Sequence, residues 1–167
     1  AASIAAVNET KGQVVFAENQ VAETYFYSVS AGVSAGIKEV WFAKKDRSYL
    51  MPCVLLGDSR KTLDLQKEAD FSKFLKDETK SYDANSPWYR WRTTVSEKQL
   101  QQFISEKIKS RYEKNPTQIQ TKQKDGTFFS TGQTELGEIK KVEILKRGKS
   151  GVAVMAQITG SKNTLRI

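Results

Sequence analysis

Histidine is absent from this sequence of 167 residues, and cysteine occurs once. Without histidine the chain cannot build a Ser-His-Asp or Cys-His catalytic arrangement, or a histidine-ligated metal site. A single cysteine excludes an internal disulfide and a cysteine-rich zinc site. The apolar context of Cys53, YLMPCVLL, predicts a buried small side chain rather than a nucleophile. We therefore expect no metal, no cofactor and no catalytic residue of these classes.

Long apolar segments are also missing. No run approaches the roughly 20 apolar residues that are needed to cross a bilayer. The opening segment AASIAAV lacks the basic start and the apolar core of a signal peptide. The sequence does not begin with methionine, so a secretion signal removed before Ala1 stays compatible with it. The chain as given is predicted to be soluble, and export stays open.

Basic residues outnumber acidic ones, 27 to 19, which gives a formal net charge of +8. This balance predicts attraction to polyanions: nucleic acid, anionic lipid, or the phosphate and carboxylate polymers of a bacterial wall. Charge alone does not choose among them. Apolar residues at 38% and charged residues at 28% are typical of a globular protein, and the length suits one domain.

Hydrophobic periodicity divides the first half of the chain into short elements. Residues 1–9 are typical of the end of a helix that stops at a Lys-Gly pair. The segments GQVVF and QVAETYFYSVS, separated by AENQ, predict a hairpin, and SYLMPCVLLG predicts a buried strand. Asp70 is predicted to cap a short helix that buries three apolar side chains, Phe71, Phe74 and Leu75.

The second half carries clearer signals. The capping box SEKQ at residues 96–99 predicts a helix with four apolar residues on one side, Leu100, Phe103, Ile104 and Ile108. Residues 114–137 predict a long loop or a small flexible hairpin that turns at Asp125 and Gly126. Alternation after residue 138 predicts a hairpin and a third strand, which we expect to be cut short and without its partner. These elements together predict an α+β fold of mixed or antiparallel sheets, hairpins and a few amphipathic helices.

The stretch SPWYRW concentrates three aromatic rings and an arginine behind a proline. In an extended chain Trp88, Arg90 and Arg92 would share one face, which suits stacking on a sugar and binding a carboxylate or phosphate. Tyr89 and Trp91 would share the other face and point to the core. The alternative is a strand end in which Trp88 covers the edge of the core and the arginines are solvated. Position alone does not decide between these two interpretations.

Two further segments contain small and polar residues in turns. In YSVSAGVSAG the backbone N–H groups and hydroxyls either line a site or form a simple turn. The GKS at Gly148–Ser150 is not a phosphate loop, because Glu143 stands where that motif requires glycine and a strand follows. It predicts a basic hairpin turn. Acidic residues are scattered, and no pair identifies a catalytic acid for glycoside chemistry.

The ordered segments AVNETKGQVVF, YFYSVSAG, IKEVW, SPWYRW and VEILKRGKSGVAVMAQITGSKNTLRI resemble successive elements of the SpoIID/LytB family of bacterial cell-wall proteins. The resemblance runs nearly the whole length. It implies action on peptidoglycan, either as a sporulation-type lytic transglycosylase or as a noncatalytic amidase enhancer. The catalytic glutamate of that family lies in an upstream Glu-Met-Pro-like segment that this sequence lacks. Tyr27 replaces a loop histidine and Ala31 a glycine, so the zinc site of some relatives is not expected.

The resemblance implies a partial SpoIID/LytB-like domain over residues 1–167, without the catalytic N-terminal segment and the final C-terminal strand. Its location would be extracytoplasmic, in a Gram-positive wall or anchored to the membrane by a segment not present here. Expected partners are peptidoglycan glycan strands and a wall amidase or sporulation wall hydrolase. No nucleic acid is expected, since charge alone supports that alternative. The expected glycan-binding residues are Ser28, Ser30, Gly32, Tyr89 and Arg90, with Trp41 and Trp91 as structural anchors and no catalytic residue.

Overall fold

The computed structural model of the protein describes residues 2–41, 45–56, 63–77 and 81–167, and within them the fold is α+β. The helices are α1 (Ala2–Glu9), α2 (Ile37–Trp41), α3 (Glu68–Lys76) and α4 (Glu97–Lys114), with a 3₁₀ turn at Pro116–Gln118. The strands are β1 (Phe16–Ala17), β2 (Gln20–Val21), β3 (Gln120–Lys122), β4 (Phe128–Phe129), β5 (Ile139–Arg147), β6 (Ala153–Gly160) and β7 (Thr164–Arg166).

The C-terminal half forms a five-stranded sheet in the order β4-β3-β7-β6-β5, and every neighbouring pair is antiparallel. The predicted terminal hairpin is confirmed as β5 and β6, with the GKS segment in the turn between them. The expectation that the last strand lacks its partner was wrong. β7 is paired on both sides, by β6 and by β3, because the chain upstream of the hairpin supplies the second partner.

One hydrophobic core joins this sheet to α4. Its members are buried aliphatic side chains that come from the helix, the sheet and the loop before β5: Ile108, Ile119, Leu136, Ile158 and Leu165. Leu165 has no exposed area, since its strand is interior to the sheet. Burial of each such side chain contributes about 1.5–3 kcal/mol, which makes this cluster the main source of stability in the C-terminal half.

The predicted capping box of α4 is confirmed. The Ser96 hydroxyl accepts a hydrogen bond from the Gln99 backbone N–H, and the Gln99 side chain accepts one from the Ser96 backbone N–H. Ile108 is buried, but Phe103, which was expected on the same side, is 60% exposed. Ile104 packs against the core as expected, and Tyr112, which was not predicted, also does so, because residues four apart lie on the same face of a helix.

Residues 114–137 are more ordered than a flexible loop. The turn at Asp125 and Gly126 joins β3 to β4 as expected, and the Asp125 carboxylate accepts hydrogen bonds from the Thr127 backbone and hydroxyl. These two bonds lower the pKa of Asp125, with the Thr127 hydroxyl the larger cause. Ile119 is 1% exposed, so this polar segment also supplies a core residue that composition did not reveal.

The short helix that Asp70 was predicted to cap is confirmed as α3, but the cap was misplaced. Lys67 is the N-cap and makes no side-chain capping bond, whereas Asp70 lies within the first turn and pairs with Lys73. Phe74 is buried and Phe71 is half-buried, while Leu75, expected in the same core, is largely exposed. Leu75 instead lines a groove.

The first half contains little regular structure beyond its helices. The predicted N-terminal hairpin is confirmed, but each strand has only two residues, joined by Glu18 and Asn19 at positive φ, as in a type I′ turn. The prediction of a buried strand at residues 48–57 was wrong for its described part. That part makes only single bridges at Val54 and Leu56, and Cys53 is exposed.

Candidate functional site

The serine-rich loop of residues 28–36, hereafter the serine loop, is held by the carboxylate of Asp83, which lies in a distant turn. The Ser30 backbone N–H and hydroxyl both donate to Asp83 Oδ2, at 2.7 and 2.8 Å. The Ser30 hydroxyl oxygen in turn accepts a hydrogen bond from the Gly32 N–H at 3.2 Å. Short polar side chains stabilise turns in this way by bonding to nearby backbone groups. These hydrogen bonds fix the conformation of the loop, which forms a wall of a groove.

Gly32 allows this wall to approach the segment that follows Pro52. Its φ is 106°, a conformation that L side chains rarely adopt, and a Cβ there would stand 2.6 Å from Leu56 Cδ2. The Gly32 carbonyl accepts a hydrogen bond from the Leu55 N–H at 2.8 Å, and Val33 forms a single bridge with Val54. Gly32 is thus a supporting residue behind the loop and does not line the groove itself.

The expected extended ribbon at SPWYRW is not formed. Residues 87–90 are a turn in which the Tyr89 N–H donates to the Ser86 carbonyl and the Trp88 N–H donates to the Ser86 hydroxyl. Arg90 has a φ of 48°, so side chains along this stretch do not alternate between two faces. A serine followed by proline initiates such turns, and this local preference replaced the strand.

Arg90 lies beside the serine loop, as the sequence suggested, but its guanidinium points into the protein. Nε donates to the Ala31 carbonyl at 3.1 Å and Nη1 donates to the Asp77 carbonyl at 2.5 Å. The guanidinium carbon lies 4.3 Å from the centre of the Phe74 ring. Arg90 therefore ties the loop to the C-terminus of α3 through two of its donors, while its buried Nη2 finds no hydrogen-bond partner among the described residues.

The other aromatic residues of this turn do not form a core. Trp91 is 65% exposed and Trp88 is 69% exposed, so Trp91 does not act as the structural anchor that we expected. Tyr89 is half-buried, and its hydroxyl finds no hydrogen-bond partner among the described residues.

A groove with a volume of about 590 Å³ lies against the serine loop. Its walls come from residues 25–35, α2, residues 49–53, α3 and the turn between β5 and β6. This volume is in the ordinary range for ligand-binding clefts, which is about 300–1,000 Å³. Of the five expected binding residues, Ser30 lines the groove; Gly32 and Arg90 support its wall, and Ser28 and Tyr89 lie outside the lining.

Two aromatic rings stand together in this groove. The centroids of Tyr25 and Trp41 are 4.7 Å apart, with the rings tilted by 34°. Trp41 is 58% exposed, so it is a groove-wall residue and not the buried anchor that its sequence position suggested. Desolvation, followed by the nearby Glu23 charge, raises the pKa of the Tyr25 phenol.

No ionisable acid or base of the Asp, Glu, Lys or Arg type lines the groove within the described part of the chain. Its polar groups are hydroxyls, among them Ser30, Ser34 and Ser150, together with the exposed Cys53 thiol. The remaining lining is aromatic or aliphatic. A ligand that fills this groove must therefore be largely uncharged where it touches the walls.

Glu39 lies behind the groove and locks two of its walls together. Its carboxylate accepts hydrogen bonds from the Ser150 hydroxyl at 2.5 Å, from the Ser150 N–H and from the Gly36 N–H. The turn between β5 and β6 is thereby attached to α2. This role of Glu39 was not predicted, because Glu39 and Ser150 are more than 100 positions apart in the sequence. The serine-containing turn was the only local signal in the sequence.

Arg147 attaches the same turn to α3. Nε and Nη2 donate to the Glu68 carboxylate at 2.7 and 3.1 Å, and Nη1 donates to the Gly151 carbonyl at 2.9 Å. The guanidinium also stacks 3.8 Å above the Phe71 ring, and these contacts lower the pKa of Glu68, with the hydrogen bond from Arg147 as the first cause. The turn between β5 and β6 is therefore attached to α2 through Glu39 and to α3 through Arg147.

Comparisons with known proteins add one match. The DUF8618 family model, described as a domain of unknown function, matches residues 35–126, more than half of the 167-residue chain. The matched range begins in the serine loop and contains α2, α3 and α4. No curated protein and no solved structure matches the chain.

Two other properties of the described residues bear on the site. No group of three or more His, Cys, Asp or Glu side chains among them could hold a metal ion. No helix in the described ranges has both the length and the apolar character that are needed to cross a membrane.

Proposed function

The chain belongs to the DUF8618 family, and from that premise we propose that it is a binding domain for bacterial peptidoglycan, with a glycan strand held in the groove beside the serine loop. The description of the family specifies no activity, so the proposal rests on the site. We place its action outside the cytoplasm, where that polymer occurs. The resemblance of its ordered motifs to the SpoIID/LytB family supports the same ligand class.

The observation that carries the proposal is the ring pair of Tyr25 and Trp41 at 4.7 Å in an open groove. The C–H faces of a pyranose ring are apolar and pack on aromatic rings, whereas the sugar hydroxyls and acetamido groups need hydrogen-bond partners. The Ser34 hydroxyl, which accepts from the Cys53 N–H, still has a proton to donate, whereas the Ser30 and Ser150 hydroxyls already donate to Asp83 and Glu39 and can only accept. Few polar groups in a mostly apolar cleft are typical of specific small-ligand sites.

The neutral lining also favours an uncharged polymer segment over a phosphate backbone. A nucleic acid in the groove would bury phosphate charge against walls whose described residues include no Lys or Arg. N-acetylated sugars carry no charge on their rings. The Lys and Arg side chains that the structure describes do not line the groove, and the net charge of +8 favours approach to the anionic wall.

Binding fits the site better than cleavage of the glycan. Lytic cleavage requires a carboxyl group within hydrogen-bond distance of the glycosidic oxygen, and no carboxylate lines the described groove. The Glu39 carboxylate, which bonds to the groove-lining Ser150, already accepts hydrogen bonds from Ser150 and Gly36. We therefore propose retention of the strand without bond breaking.

Co-sedimentation with purified peptidoglycan sacculi tests this function. We expect saturable binding by the intact chain and about tenfold weaker binding by Trp41→Ala, equivalent to about 1.4 kcal/mol. Trp88→Ala is the matched control, because Trp88 is also a largely exposed indole but does not line the groove. Circular dichroism of each variant checks that the fold is retained.

Equal loss of binding in the two variants, or no saturable binding by the unaltered chain, would contradict the proposal. Release of anhydromuropeptides by the chain alone would also contradict it, since that product requires a general acid. Stimulation of a wall amidase without any binding to sacculi would instead indicate that the chain is a noncatalytic adaptor of the amidase.

A further inference from the structure

A second, smaller cleft lies in the C-terminal half and shares no lining residue with the groove. It has a volume of about 180 Å³ between the end of α4, the 3₁₀ turn, β3, β6 and β7. At about 30 Å³ for each water molecule, it has room for roughly six waters. It therefore suits a compact chemical group and not a polymer.

The ionisable side chains that line this cleft are both arginines, Arg111 and Arg166. Neither forms an ion pair with a carboxylate among the described residues, whereas Arg47 pairs with Glu18 and Arg147 with Glu68. Two guanidinium groups with no Asp or Glu side chain in the described lining of the cleft produce a local positive potential. An anion placed there would neutralise it.

Arg166 is held in position before any ligand arrives. Its guanidinium carbon lies 3.7 Å from the centre of the Phe128 ring, and its Nε donates to Gln157 Oε1 at 3.3 Å. The Nη1 and Nη2 groups make no hydrogen bond with a described residue. A planar guanidinium fixed at one edge presents its remaining donors in the geometry that carboxylates and phosphates prefer.

Two uncharged donor groups complete the cleft. Gln118 and Gln120 line it, and their side-chain amides make no hydrogen bond with the described residues. Gln120 on β3 lies directly beside Arg166 of β7, whereas Gln118 comes from the 3₁₀ turn and Arg111 from the end of α4. Val154 and Met155 form the apolar part, which excludes water from one side of a bound group.

We propose that this cleft is a binding site for a small oxyanion, a carboxylate or a phosphate monoester group. The two sources share the same chemistry of paired oxygens that accept from arginine and amide donors. The proposal is independent of the groove: glycan binding can fail while oxyanion binding succeeds, and the reverse.

The experiment is an NMR titration of the intact, isotope-labelled chain with sodium phosphate and, separately, with sodium acetate. Each replaces sodium chloride at constant ionic strength, so that general screening does not change. We expect saturable shifts of the Gln118 and Gln120 side-chain amides and of the Arg166 Nε–H. Tighter binding of phosphate or of acetate identifies which oxyanion source the cleft prefers.

Variants at the two arginines test the assignment. Arg111→Gln and Arg166→Gln are each expected to weaken binding at least about tenfold, since each removes one of the two charged donors. Lys109→Gln is the matched control: it removes the same charge from an exposed position of α4 that does not line the cleft. Arg111 is itself exposed near the end of the helix, so its replacement tests binding without disturbing the Phe128 stack.

Four results would overturn the proposal. Shifts that rise linearly without saturation, shifts of the same size with added chloride, or equal affinities for Arg111→Gln and the unaltered chain would each exclude a built site. Equal weakening by Lys109→Gln would attribute the binding to net charge rather than to this cleft.

Discussion

Replacement of Gly32 by alanine tests how far the serine loop depends on its backbone conformation. Gly32 has a φ of 106° and a buried position, and an added Cβ would meet Leu56 Cδ2 at 2.6 Å and the Phe74 ring at 3.6 Å. Gly126 provides a matched control. Its φ is 88°, but nothing lies within 4 Å of an added Cβ. The two variants therefore share the backbone strain and differ in the steric contact.

The expected magnitudes follow from those two contributions. A positive φ costs a residue with a Cβ about 1–2 kcal/mol, and both variants carry this cost. Gly32→Ala must also turn the Leu56 side chain away, and overpacking of this kind costs about 1–3 kcal/mol. We expect a loss of about 2–5 kcal/mol for Gly32→Ala and about 1–2 kcal/mol for Gly126→Ala.

Urea denaturation at neutral pH measures both losses, and sacculus binding by the folded fraction reports on the groove. Gly32→Ala should weaken both stability and binding, because the loop wall moves when Leu56 is displaced. Gly126→Ala should leave binding unchanged, since its turn lies outside the groove. A Gly32→Ala loss no larger than that of Gly126→Ala would refute the steric reasoning and show that the loop adapts freely.

Two further predictions concern polar contacts that hold the fold. Arg147→Ala removes the donor to the Gly151 carbonyl and the stack on Phe71, and should lower the free energy of unfolding in urea by about 2–4 kcal/mol. Arg147→Lys should recover less than half of that loss, because lysine lacks the planar guanidinium fork. Full recovery by Arg147→Lys would contradict this prediction. The Ser48 N–H that donates to Glu18 lowers the pKa of that carboxylate, so its stabilising contribution is present above about pH 4.5 and is lost as the pH falls through the lower folded value. Glu18→Gln should flatten the fall in urea midpoint below about pH 4.5, and an unchanged pH profile would show that this contact does not contribute.

Local signals predicted the elements whose determinants are close in sequence. Ser96 and Gln99 form their capping box within one helical turn, and the Asp125–Gly126 turn needs only neighbouring backbone and side-chain groups. The terminal hairpin followed from alternation alone. Each of these features is decided by interactions that span a few residues, so tertiary packing had little to override.

Predictions failed where distant contacts outweighed the local pattern. Ile119 lies in a segment rich in Gln, Thr and Lys, yet it is 1% exposed because α4 and the sheet enclose it. Cys53 lies in an apolar run, yet it is exposed on a groove wall. Hydrophobic runs predict burial only when another element covers them, and the sequence does not say which elements meet.

The sequence by itself determined the chemistry that is open to this protein: a net charge of +8, no histidine, one cysteine, and well-marked caps and turns. Tertiary structure alone decided where that chemistry lies. It placed Tyr25 against Trp41, turned the Arg90 guanidinium onto two backbone carbonyls, and brought Arg111 and Arg166 to the same cleft. The physical reason is that composition and short-range bonds are properties of the chain, whereas a groove exists only after packing has chosen which distant surfaces face each other.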